Sequence, residues 1–162
     1  MGISPKHWRE LIVQPSLKYM DWRQNDPGRY SSPNAVELLM LTWAHETKGA
    51  RYLKQGWKVV NDARGVGLGA YSMEPATFEW LQAKYPRFLD GRMVEELVWD
   101  LRLATIAARL RYAVDPEKIP SALNVEGLAK YWKSVYNGST RDDVGWQEAA
   151  TDYSDIVIGG RP

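Results

Sequence analysis

The stretch "LTWAHETKGARYLKQ" carries an apolar run ending at Trp43 and Ala44 that closes on a histidine and a carboxylate, His45 and Glu46. Glu46 follows Trp43 by three residues and Leu39 by seven. At about 100° per residue that spacing returns it close to the apolar stripe of a helix. A carboxyl held against apolar neighbours is desolvated, keeps its proton nearer neutrality and can act as a general acid. Gly49 reads as the helix stop, which leaves Glu46 at a helix end that a cleft can reach. The same spacing also admits a carboxylate turned outward by fraying, or paired with Arg51 or Lys48.

Metal chemistry does not fit this stretch. "HETKG" lacks the second histidine of a zincin HExxH, and the other histidine of the chain is His7, so a zinc site would need mostly carboxylates. No metal ligand is assigned, and His45 reads as a boundary residue. "GVGLG" has no following Lys-Ser or Lys-Thr and no convincing strand before it, so it reads as a tight turn or hairpin and no cofactor is expected. Arg102, Arg109 and Arg111 share a segment with Glu95, Glu96 and Asp100, which predicts a solvated helix face in place of a nucleic-acid stripe.

The elements that must position Glu46 are helical. "SPKHWRELIV" opens with Ser4 as N-cap and Pro5 at the first helical position, a short leading helix. The connector "DWRQNDPGRYSSP" precedes "NAVELLMLTWAHE", where Val36, Leu39, Met40 and Trp43 recur at helical spacing behind Asn34 as cap. "NDARGVGLGAY" is loop or a small hairpin, and Pro75 then begins "PATFEWLQAKY". The longest periodic segment, "MVEELVWDLRLATIAARLRYAV", predicts a central helix with Val94, Leu97, Val98, Leu101, Thr105, Ala108 and Tyr112 on one stripe and Leu103, Ile106 and Leu110 on a second apolar line. "NVEGLAKYWKSVYN" repeats the pattern through Leu128, Trp132 and Tyr136. "DDVGWQEAATDY" offers a last short helix before the tail "SDIVIGGRP".

Composition bounds the rest. At 162 residues one domain is expected, with enough length to bury a real core. Lysines and arginines number 21 against 20 acidic residues, so no strong field favours nucleic acid or an anionic membrane. With no cysteine there is no disulfide framework and no thiol chemistry. The start "MGISPKHWREL" shows no signal peptide, and no apolar run is long enough to insert in a membrane. Eight Trp and nine Tyr against two Phe supply rings with polar handles, which suit a wet groove for flat sugars as well as an ordinary core rim.

"HET" at a helix end, then "GLGAYSMEPAT", "DLRLATIAARLRYAV" and "LAKYWKSVYNG", in this order, resemble the lysozyme-like lytic transglycosylases, especially a subgroup found in bacteriophage virion proteins. The likeness runs from about Asn34 to Gly138. It implies a mainly α, lysozyme-like (goose-type or lytic transglycosylase-like) domain with at most a small β-hairpin. It implies Glu46 as the catalytic acid, and Tyr71, Ser72, Glu74, Tyr136 and Asn137 as substrate contacts. Where the family commonly has glutamine this chain has Ser72, and "GSTRDDVGW" replaces the usual turn after Tyr-Asn.

The resemblance further implies cleavage of the bond between N-acetylmuramic acid and N-acetylglucosamine in peptidoglycan glycan strands. Glu46 serves as acid and then as base to the muramoyl C6 hydroxyl. A hydrolytic muramidase instead needs a second carboxylate, for which Asp62 and Glu74 are the candidates. Glu74 also reads as a partner of the helix dipole behind Pro75. The third reading is a non-catalytic tail or capsid component with a degenerate lysozyme-like fold. The implied location is the virion, acting on the host cell wall. Flanking helical segments are expected over residues 1–33 and 139–162, and within them "MGISPKHWRELIVQPSLKYMDW" and "GWQEAATDYSDIVIGGRP" are expected to dock the domain to another virion protein or else to cover the flanks of the core.

Overall fold

The computed structural model describes residues 3–54, 66–138 and 145–160. Pro5 opens α1 (Pro5–His7), where its missing N–H is one the helix start leaves unpaired anyway. The helix does not stop where the short leading segment was expected to end. It widens into a π-helical stretch, Trp8–Val13, whose end is marked by the Gln14 N–H bonding the carbonyl of Arg9, and continues as α2 (Gln14–Gln24). Pro15 accounts for the wide turn. Inside a helix it has no donor and its ring crowds the preceding turn, which a π-helical turn relieves.

The second expected helix is α3 (Pro33–Thr47). Its cap is Ser32, whose hydroxyl oxygen accepts from the Ala35 N–H at 3.2 Å. Asn34 is therefore not the cap. Its amide donates to the Ile119 carbonyl at 3.5 Å and accepts from the Ala122 N–H at 2.9 Å, tying α3 to a distant loop. Two thirds of α3 is buried, including Val36, Leu39, Met40 and Trp43 of the predicted stripe. Trp43 stacks on Trp8 with ring centres 5.2 Å apart and planes 10° apart, so the N-terminal rod closes one side of the core.

After α4 (Pro75–Lys84) and α5 (Pro86–Leu89), the segment expected as one long helix breaks in two. A 3₁₀ stretch, Val94–Val98, precedes α6 (Leu101–Ala113), and Asp100 marks the join by accepting the Leu103 N–H at 2.9 Å. An aspartate that can cap an orphan N–H favours a helix start over a helix interior. Every residue from Leu103 to Leu110 is buried, so α6 is central as its two apolar lines foretold. The expected solvated arginine face is not there. Arg109 is buried and donates to the carbonyls of Tyr30 and Arg29 at 3.1 and 3.3 Å, while Arg102 alone of the three is exposed.

Asn124 caps α7 (Val125–Val135) through the Gly127 N–H at 2.9 Å. Helix α8 (Trp146–Asp152) runs on as a π-helical stretch, Tyr153–Ile158, into the part that reads as tail. Tyr153, Ile156 and Val157 are buried there against the core, as are Trp8, Val13, Leu17 and Met20 at the other end. The described residues are mainly helical and hold no strand, only isolated antiparallel bridges from Leu68 to Lys54 and to Met73. No helix among them is long and apolar enough to cross a membrane. Asp62, with the whole "NDARG" stretch, lies outside the described residues.

Candidate active site

Glu46 sits in the last turn of α3, and the way that helix ends fixes what it faces. Lys48, Gly49 and Ala50 all take left-handed backbone, with φ of 50°, 75° and 60°. The Gly49 N–H returns to the Trp43 carbonyl at 3.2 Å, so the chain reverses immediately after the acid. Thr47 secures the reversal. Its hydroxyl donates to the carbonyl of Ala70 at 2.8 Å, tying the helix end to the glycine-containing turn that faces Glu46 across the cleft.

That turn is close-packed. At Gly69, φ is 75° and an added Cβ would lie 2.3 Å from the Leu97 carbonyl oxygen, so only glycine fits. The tight path puts Ser72 at a φ of 52° and sets it on the wall of an open cleft of about 320 Å³. Glu46, Ser72, Met73, Glu74 and Thr77 line one part of it, and Arg111, Tyr136, Asn137 and Gly138 the rest. Four of the five residues expected as substrate contacts, Ser72, Glu74, Tyr136 and Asn137, therefore meet around Glu46.

Tyr71 is the correction. Its side chain is buried, with the ring 6.1 Å from Trp8 and the phenol oxygen accepting from the Thr105 hydroxyl at 3.3 Å. The left-handed residue after it turns the chain, so adjacent side chains do not share the cleft. Tyr71 acts on the site through its carbonyl, which accepts the Tyr136 hydroxyl at 2.8 Å. Tyr136 in turn packs 5.3 Å from Tyr112, whose hydroxyl is 2.7 Å from that of Thr42 on α3.

Burial of the Glu46 carboxyl raises its pKa from an ordinary 4.5 to about 7, against the opposing effects of the Trp132 hydrogen bond and the Lys48 charge. The indole Nε1–H of Trp132 donates to Glu46 Oε1 at 3.0 Å. Neither pairing considered for an outward carboxylate is formed as expected, because Lys48 turns to Asp152. Asp152 also accepts from His45 Nδ1 at 2.6 Å, and the His45 ring stands edge-on to Trp132 at 4.5 Å. Burial lowers the His45 pKa more than Asp152 raises it, so His45 is a neutral support behind Trp132 near neutrality. Glu74 occupies the N-cap position of α4 but makes no side-chain cap bond, which leaves its carboxylate on the cleft wall.

Sequence reasoning missed two members. Trp132 reads in the sequence only as part of the apolar stripe of α7, although a buried indole N–H usually finds an acceptor. Arg111 was placed on a solvated face, and only the packing of α6 against α4 brings it to the cleft. A larger cavity of about 470 Å³ lies between Arg9, Lys18, Val36, Glu37, Leu123 and Tyr153. Its acid, Glu37, is held by two Arg9 bonds at 2.9 Å and by the Tyr153 hydroxyl at 2.6 Å, so it offers no free proton donor. No group of His, Cys, Asp and Glu able to hold a metal ion occurs among the described residues. The chain matches no protein-family model, no curated protein and no solved structure.

Proposed function

We propose that this chain is a peptidoglycan-cleaving lytic transglycosylase of lysozyme-like fold, carried by a bacteriophage particle. The observation that carries the reading is Glu46: a half-buried carboxyl at a helix end, titrating near pH 7, opening onto a polar cleft. Such a group is still largely protonated when a glycosidic oxygen needs a proton, and a competent base once it has given it up.

Glu46 protonates the oxygen between N-acetylmuramic acid and N-acetylglucosamine, and the bond from that oxygen to muramoyl C1 breaks. The Glu46 carboxylate then takes the proton of the muramoyl C6 hydroxyl, whose oxygen bonds to C1 and closes a 1,6-anhydro ring. One proton leaves the acid and one returns, so no second carboxylate and no water are consumed. Tyr136 and Asn137 on one side and Ser72 on the other offer polar contacts to the sugars.

A hydrolytic muramidase is the second reading, favoured by one observation, the presence of Glu74 on the same cleft wall. Incubation of purified protein in a peptidoglycan-embedded gel tests both at once. Clearing supports a glycan-cleaving enzyme, and no clearing favours a non-catalytic structural component.

The virion assignment rests on the sequence resemblance alone. Because Ile156 and Val157 are core residues, deleting the end of the chain would disturb the fold instead of testing docking. Substituting exposed residues such as Leu11 and Trp22, followed by proteomics of purified particles, tests the carrier directly. Protein found only in lysates would point to a free endolysin.

A further inference from the structure

Arg111 stands in the last turn of α6 and lines the cleft that holds Glu46. Its guanidinium lies 5.9 Å from the ring centre of Trp80 on α4, and the Lys84 ammonium lies 5.8 Å from the same ring. Trp80 comes one turn after Thr77, another lining residue, and is 46% exposed. The cleft thus continues from Glu46 past Arg111 onto a cationic aromatic shoulder.

Other cations around it are committed. Lys48 holds Asp152, Lys133 donates to Asn137 at 3.1 Å, Arg92 holds Glu96 and Asp100, and Arg109 serves backbone carbonyls. Among the described residues Arg111 makes no ion pair or hydrogen bond, so its fork of N–H donors is free for a ligand. A guanidinium backed by an aromatic ring takes a carboxylate in two parallel bonds. Glu74 lines the same cleft, so an anion is better placed beside Trp80 and Lys84 than beside that acid.

We infer that Arg111 and Trp80 form a subsite for a carboxylate of the peptide stem attached to the bound glycan. The inference rests on the peptidoglycan reading and adds a specificity to it. The amino sugars of the strand are themselves uncharged, and carboxylates are supplied by the stems. Arg111 would therefore favour strands whose stems are anionic over strands whose stems are neutral.

Two measurements test this. In the first, glycan strands with native stems are compared with strands whose stem carboxylates have been converted to amides. The wild-type chain should prefer the native strands by about tenfold in kcat/KM, the size of one charge-assisted pair. Arg111→Met should erase that preference, and Arg111→Lys should restore it in part. A wild-type chain without the preference, or an Arg111→Met chain that keeps it, overturns the subsite.

The second measurement needs no catalysis. The indole N–H resonance of Trp80 is followed while free acidic stem peptide, or its amidated form, is titrated in. A shift with the acidic peptide alone, lost in Arg111→Met, supports the subsite, and no shift in the wild-type chain overturns it. Cleavage without the shift removes the subsite only, whereas the shift without cleavage removes the catalytic reading only. If Arg111→Met unfolds, Arg111→Gln takes its place in both arms.

Discussion

The indole N–H of Trp132 on α7 holds one oxygen of the Glu46 carboxyl on α3 at 3.0 Å, across 86 residues of sequence. The bond engages Oε1, so in the proposed mechanism Oε2 is the oxygen that carries the proton. A hydrogen bond to a carboxylate favours its charged form, so Trp132 partly offsets the rise that burial imposes on Glu46. Trp132→Phe removes that offset. The Glu46 pKa should then rise above about 7, and the alkaline limb of the activity profile should move upward with it. Turnover should fall about tenfold because the acid is no longer oriented. Movement of the limb to lower pH would contradict this role.

Stability should carry the same signature. The folded-state pKa of Glu46 lies above its ordinary value, so its favourable contribution is complete below about pH 4.5 and is lost as pH rises through about 7. Glu46→Gln keeps the acceptor for Trp132 and removes the titration. Chemical denaturation should find the variant close to the parent at pH 4 and more stable by up to about 3 kcal/mol at pH 8. Equal stability differences at both pH values would show that Glu46 is not desolvated.

Gly69→Ala probes the turn that faces Glu46. The new Cβ would meet the Leu97 carbonyl oxygen at 2.3 Å on a backbone with φ of 75°, so the turn must shift. A loss of about 2 kcal/mol or more is expected in thermal unfolding, together with loss of cleavage as Ser72 moves. A variant as stable as the parent would mean that the turn is not confined between Glu46 and Leu97.

How much of this was legible depends on the range of the interaction. The inward placement of Glu46 was legible because residues three and seven apart share a helix face, a local rule that packing did not override. Ser72, Glu74, Tyr136 and Asn137 were named by likeness to a family, and folding brought them to one cleft. Tyr71 was not, because one left-handed residue at position 72 redirects its side chain into the core. Arg111 and Trp132 act through partners on other helices, Trp80 and Glu46, which no local pattern in the chain announces. The π-helical turn before Pro15 and the break at Asp100 belong to the same class of surprise. Proline and aspartate mark them, but whether the helix ends or bends depends on what lies beneath it.

Product chemistry separates the two catalytic readings. Capture by the muramoyl C6 hydroxyl gives 1,6-anhydromuramoyl ends, which mass spectrometry of the digest should find as the main product. Ends carrying an added water would instead favour the hydrolase and make Glu74 and Asp62 the next residues to substitute, with loss of turnover expected in the variant that lacks the second carboxylate.

The most direct test is the rate at which purified Glu46→Gln degrades peptidoglycan beside the parent chain. Glutamine keeps the size of the side chain and its bond to Trp132 but has no proton to give, so clearing should drop by at least about a thousandfold while the variant stays folded. Degradation at the parental rate would mean that Glu46 is not the acid, and the account of this cleft as an active site would be wrong.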